Sequence, residues 1–197
     1  MGLTAATMFY KGYYHLFYQY NPKSAMWGRI QWGHAVSRDM IKWVHMAGAA
    51  IYPDQWYDVN GAWSGSATLL HKGGAPVILY TGSNNASEQV QAMVVTKNPS
   101  DPLLREWKKT PQNPIMVPAA IGINASSFRD PTTAWLGSDK RWRVLVGSKR
   151  DTKNPEIACI LVLADAKTKT KSRNCRWILV LAINHRNGLP GRIHQIL

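Results

Sequence analysis

Thr68-Leu69-Leu70, His71-Lys72-Gly73-Gly74, then Val77-Ile78-Leu79-Tyr80-Thr81-Gly82-Ser83 is the stretch that decides the fold class. Two apolar runs flank a glycine turn, the pattern of a β-hairpin. The plan occurs twice more. Met8-Phe9-Tyr10 turns at Lys11-Gly12 into residues 13–20, and Ala134-Trp135-Leu136 turns at Gly137-Ser138-Asp139-Lys140 into residues 143–148. The second strands of the last two end alike, in Tyr80-Thr81-Gly82-Ser83 and Leu145-Val146-Gly147-Ser148. A β unit recurring at this spacing predicts propeller blades joined by long loops. Three unrelated hairpins in a sandwich are the alternative. Further strands are expected over residues 30–37, 41–46 and 89–96. Residues 98–126, with five prolines, are expected to be mostly irregular. No segment carries helical periodicity, so the class is all-β.

The repeat gives meaning to what precedes each hairpin. Trp63-Ser64-Gly65-Ser66-Ala67 leads into the second, and Phe128-Arg129-Asp130-Pro131 into the third. In a propeller the innermost strands line one funnel, so equivalent positions converge on a common pocket. Read singly, Trp63 is a core ring, Ser64 a turn former, and Arg129 with Asp130 a weak exposed ion pair. Convergence favours a ligand role. The adjacent arginine is expected to keep Asp130 ionised, as polyol-binding and glycosidase sites require.

Composition bounds the rest. The 197 residues suit one domain or a piece of a larger one. Nine Trp and eight Tyr offer flat rings for core packing or for stacking on sugars. The net charge of +13 raises the question of an anionic partner, yet no nucleic-acid motif accompanies it, so no specific nucleic-acid binding is expected. Cys159 and Cys175 have neither metal-ligand nor redox-pair spacing, and neither metal nor cofactor is expected. No apolar run approaches the roughly 18 residues needed to span a bilayer, so no membrane partner is expected. The N-terminal residues lack the regions of a signal peptide. Two glycosylation sequons are present, Asn85-Ala86-Ser87 and Asn124-Ala125-Ser126.

Five ordered motifs carry a family resemblance: Phe17-Tyr18-Gln19-Tyr20-Asn21-Pro22, Met26-Trp27-Gly28, Trp32-Gly33-His34-Ala35-Val36-Ser37 with Trp43, Trp63-Ser64-Gly65-Ser66-Ala67-Thr68, and Phe128-Arg129-Asp130-Pro131. From about Met8 to about Arg150 the chain resembles the plant acid invertases and fructan exohydrolases of glycoside hydrolase family 32. The resemblance implies a five-bladed propeller, normally followed by a β-sandwich, acting on terminal β-fructofuranosyl bonds of sucrose or fructans. It implies sugar-binding roles for Gln19, Trp27, Trp63 and Ser64. Arg129 and Asp130 would grip fructose hydroxyls, with Asp130 a transition-state stabiliser. It also implies a cell-wall, otherwise extracellular, or vacuolar location.

Two departures limit that implication. The family's nucleophile is the aspartate of an Asn-Asp-Pro-Asn-Gly motif before the first hairpin. Here residues 2–7 hold no carboxylate, and the first in the chain is Asp39. The family's acid/base is the glutamate of a Glu-Cys pair. Here Ala158 precedes Cys159 and Asn174 precedes Cys175, and the setting of Glu156 does not match. Composition also changes at residue 151: the first 150 residues carry 19 aromatics, the remainder only Trp177. Lys167-Thr168-Lys169-Thr170-Lys171 reads as a solvated basic loop.

The expectation is therefore a chain truncated at both ends. Residues 1–150 would form about two and a half propeller blades without the C-terminal sandwich, and residues 151–197 a divergent basic tail. It would be a family-32 glycosidase by descent that lacks both catalytic carboxylates and self-associates through an open blade edge. The rivals are a non-catalytic fructan- or sucrose-binding protein and a basic nucleic-acid-binding protein.

Overall fold

A computed structural model describes residues 6–70, 74–118 and 123–149, and the backbone of 3–5, 157–165, 177–181 and 194–195. The chain is all-β, and its strands form three antiparallel sheets in which each strand lies beside the next in sequence. The first sheet is β1 (Leu3–Tyr10), β2 (Tyr13–Tyr20), β3 (Gln31–Ser37) and β4 (Val44–His45). The second is β5 (Gly61–Leu69), β6 (Pro76–Ser83), β7 (Gln89–Thr96) and β8 (Trp107–Lys109). The third is β9 (Trp135–Leu136), β10 (Arg141–Lys149), β11 (Ile157–Asp165), β12 (Trp177–Leu181) and β13 (His194–Gln195). All three expected hairpins form; the turn of the second, residues 71–73, lies outside the described residues.

Burial along the second strands shows how the sheets stack. Side chains alternate between faces along a strand. On β2 only alternate residues, His15, Phe17 and Gln19, are buried. On β10 the same holds for Val144, Val146 and Ser148. On β6 all eight are buried. The middle sheet is therefore covered on both faces. Ile78 and Tyr80 pack with Phe17 and Trp32 of the first sheet, while Leu79 packs with Phe128, Val144 and Val146 of the third.

The structure corrects several expected boundaries. β1 starts at Leu3, because Leu3 and Thr4 pair with Gln19 and Tyr18. The return strand expected from residue 41 begins only at Val44. Asp39 Oδ1 accepts from the backbone N–H of Ile41 and Lys42, and Ser37 Oγ accepts from Met40, which holds residues 37–42 in a turn. The proline-rich stretch contains β8 and a 3-10 turn at Ala125–Ser127. Past residue 150 the chain continues the third sheet, with β11 paired to β10 from Arg141↔Asp165 through Lys149↔Ile157. The Lys167–Lys171 run and Glu156 lie outside the described residues.

Between the first two sheets lies a buried histidine pair. His15 Nδ1 and His34 Nε2 are 2.9 Å apart, and His34 stacks on Phe17 at 4.3 Å. Burial pushes His15 down, and burial reinforced by the charge of His15 pushes His34 down to about 3. An imidazole whose folded pKa lies below its ordinary 6.5 binds fewer protons than in the unfolded chain. Its contribution to stability is full above pH 6.5 and is lost as pH falls from there toward 3. Between pH 6.5 and 5, His34 alone is expected to cost about 2 kcal/mol. Urea unfolding midpoints at pH 7 and 5 check this, and an unchanged midpoint would contradict it.

Candidate functional site

The first strands of the sheets share an irregularity. In β5 the register shifts between Ala62 and Gly65, so Trp63 and Ser64 form a bulge. Bulges re-aim side chains and recur beside functional sites. Two glycines bracket it. Gly61 has φ +141°, and a Cβ there would meet the Trp63 indole nitrogen at 2.8 Å. A Cβ on Gly65 would lie 2.0 Å from the Leu79 carbonyl oxygen. In the third sheet Arg129 bridges Gly147, and pairing resumes at Trp135↔Arg143. Asp130 falls in the interruption with φ +63°, a left-handed conformation that costs a residue with a Cβ about 1–2 kcal/mol. In β1 the corresponding shift falls between Thr4 and Ala6.

The irregularities of the second and third sheets are each held by a cross-strand pair of the preceding sheet. Gln19 pairs with Trp32 across β2 and β3. Gln19 Nε2 donates to the Ala62 carbonyl at 3.3 Å, and its Oε1 accepts from Ser64 Oγ at 3.2 Å. The buried Trp32 indole donates to the carbonyls of Ala62 and Trp63, both at 3.1 Å. The next sheet repeats the device with Thr81 and Gln91, paired across β6 and β7. Thr81 Oγ1 accepts from the Asp130 N–H at 2.9 Å and donates to Gln91 Oε1 at 3.0 Å, and Gln91 Nε2 donates to the Phe128 carbonyl at 2.7 Å. Thr81 and Gln91 are both fully buried. Sequence reasoning missed both, although Thr81 stands in the repeated strand ending compared above.

Thr81 also links the two motifs. It lies on β6 between Tyr80, the partner of Gly65, and Gly82, the partner of Ala62, opposite the Trp63–Ser64 bulge. One hydroxyl therefore ties Asp130 to the strand that faces Trp63 and Ser64. On the other side of the bulge, the Trp27 ring meets Trp63 edge-on at 6.2 Å, and Trp27 is exposed. A pocket opens there, lined by Gln19, Asn21, Met26 and Trp27 among others. The Trp63 indole N–H finds no partner among the described residues. Gln19, by contrast, is buried with its amide taken up by Ser64 and Ala62. Here it positions the bulge from behind.

Two effects act on Asp130. Partial burial raises its carboxyl pKa, and the charge of Arg129, its Nε 3.7 Å from Oδ2, favours the ionised form without cancelling that rise. Both side chains are about half exposed, so the pair is loose. Among the described residues no cluster of His, Cys, Asp or Glu could hold a metal ion, and no helix is long and apolar enough to cross a membrane.

Comparison with known proteins identifies the family. The family model "Glycosyl hydrolases family 32 N-terminal domain" matches residues 5–173, past the change in composition at 151. The chain belongs to glycoside hydrolase family 32. A cell-wall β-fructofuranosidase of Pisum sativum is 60% identical over 76% of this chain and 27% of its own length. The insoluble β-fructofuranosidase isoenzyme CWINV1 of Arabidopsis thaliana is 62% identical over 72% of this chain and 24% of its own. Fructan 1-exohydrolase IIa of Cichorium intybus, solved in complex with 1-kestose, superposes with a TM-score of 0.76 at 44% identity, covering 89% of this chain and 32% of its own. The chain thus spans about a quarter of the length of these curated relatives. The all-β architecture agrees with the propeller that the resemblance implied.

Proposed function

We propose that this chain carries the sugar-gripping side of a family-32 site for terminal β-fructofuranosyl groups of sucrose or fructans. The observation that carries the reading is the hydroxyl of Thr81, which fixes Asp130 across from the Trp63–Ser64 bulge. Asp130 and Arg129 would hold fructose hydroxyls, and Trp27, Trp63, Ser64 and Gln19 would shape and support the pocket. Hydroxyl contacts that strengthen as an oxocarbenium-like centre develops lower the barrier, which makes Asp130 a transition-state stabiliser. The β-fructofuranosidase names of the relatives and the bound 1-kestose of the structural neighbour support this substrate class. The cell-wall name of the pea relative supports a cell-wall or otherwise extracellular destination.

A retaining glycosidase needs a nucleophile and an acid/base about 5 Å apart. The β1 bulge that corresponds to the Trp63–Ser64 and Asp130 positions is formed around Ala5, without a carboxylate. No Glu-Cys pair follows. Residues 1–150 therefore act as the N-terminal part of a five-bladed propeller, binding sugar without turning it over. Titration with 1-kestose and with a DNA duplex separates the rivals. Saturable binding of the sugar and salt-sensitive, weak binding of DNA support this reading. Tight DNA binding without sugar binding would replace it with the basic nucleic-acid-binding alternative.

The outward faces of the first and third sheets set a second expectation. Tyr14, Leu16 and Tyr18 on β2 are only half buried, and Phe9, Trp135 and Leu136 are exposed. In a closed ring such faces pack on neighbouring blades. The isolated chain is expected to self-associate. Light scattering after size exclusion checks this, and a monodisperse monomer with cooperative thermal unfolding would contradict it.

A further inference from the structure

We propose that Asn85 is an N-glycosylation site whose glycan stands beside the candidate sugar site. Asn85-Ala86-Ser87 is a sequon on the loop between β6 and β7, and residues 85–88 are all exposed. The loop is held by its neighbours. The Asn84 side-chain oxygen accepts from the N–H of Ala86 and Glu88, and its Nδ2 donates to Glu88 Oε2. Asn85 lies at the tip, clear of that framework. The loop also sits at the end of the sheet that bears the Trp63–Ser64 bulge. Ser83, where β6 ends, pairs with Gly61, and Asn60 Nδ2 donates to the Asn84 carbonyl at 2.8 Å. A glycan rooted on Asn85 therefore rises from the end of the sheet where Gly61 leads into the Trp63–Ser64 bulge, and would restrict long fructan chains more than sucrose.

Asn124 is placed differently. It is half buried, and its side-chain oxygen caps the 3-10 turn, accepting from the N–H and the hydroxyl of Ser126. In the modification, Asn85 Nδ2 bonds to the anomeric carbon of an oligosaccharide carried on a polyprenyl diphosphate. The bond from that carbon to the phosphate oxygen breaks, polyprenyl diphosphate leaves with the electron pair, and the amide nitrogen gives one proton to a base.

The proposal rests on the secretory destination proposed above. Secreting the full chain from yeast behind a cleaved signal sequence separates the two, because destination is then imposed. Mass spectrometry after amidase release of glycans in heavy-oxygen water should find Asn85 converted to labelled aspartate. Asn85→Gln should remove the mass of one glycan. Ser87→Gly, which suits the φ of +60° at that position, should remove the same mass by a second route. A secreted chain with unmodified Asn85, or a glycan mass unchanged in both variants, would overturn the proposal and leave the family reading intact.

Discussion

Replacing Lys109 by methionine is expected to lower stability by about 3–5 kcal/mol, the cost of leaving a buried charge without its partner. Lys109 projects from β8 onto the loop that leads into β5. Its ammonium group lies 2.5 Å from Asp58 Oδ2 and 2.7 Å from Asp54 Oδ1, and donates to the Tyr52 carbonyl. Asp58 is wholly buried, and both of its oxygens accept further hydrogen bonds. The backbone N–H of Gln55 donates to Oδ1, and the Tyr80 hydroxyl donates to Oδ2 at 2.7 Å. Burial pushes the Tyr80 phenol well up, so it stays a donor. Losing the lysine strands the carboxylate among aromatic rings, whereas replacing both partners removes most of that penalty. Urea unfolding should therefore show a large loss in Lys109→Met and substantial recovery in Asp58→Asn/Lys109→Met. A single-variant loss below about 1 kcal/mol would mean the pair behaves like an exposed one.

The second large effect falls on the site. Asp130→Ala is expected to weaken binding of a fructose-terminated sugar by about tenfold to a hundredfold, the worth of hydrogen bonds to one charged group. Thr81→Val tests how Asp130 is held. It keeps the shape of the side chain but strips the Asp130 N–H of its acceptor and Gln91 of its donor, which costs about 1–3 kcal/mol. With φ at +63°, Asp130 should then relax and carry its carboxylate away from its present position. Affinity should fall in Thr81→Val and return in Thr81→Ser, which restores the hydroxyl. Calorimetric titration with 1-kestose checks this, and equal affinity in all three proteins would remove Thr81 from the site.

The strands were legible where alternation and turn residues coincide, as in β2 and β6. They were not where pairing is imposed from a distance. Leu3–Thr7 has little strand character, yet it is drawn into β1 by Tyr13–Tyr20. β8 hides among prolines, and β11 to β13 lie within a stretch whose composition suggested a tail. For the site, the motifs led to Trp63, Ser64, Arg129 and Asp130. They could not reveal what holds them. Gln19, which lines the pocket, also gives its amide to Ser64 and Ala62. Thr81 and Gln91 look in sequence like ordinary polar residues of buried strands. Their importance comes from the register that sets them against the next sheet. Partial burial of Asp130 was hidden for a related reason: the neighbouring arginine can be read in the sequence, and the burial that raises the carboxyl pKa cannot.

The most direct measurement is a time course of fructose release from sucrose and from inulin by the purified, unmodified chain. A nucleophile and an acid act as a unit, so the loss of either disables the cycle. With both missing, no release above the buffer background is expected, and restoring an Asn-Asp-Pro-Asn-Gly start alone should not change that. Clear release that Glu156→Gln abolishes would contradict it and make Glu156 the acid.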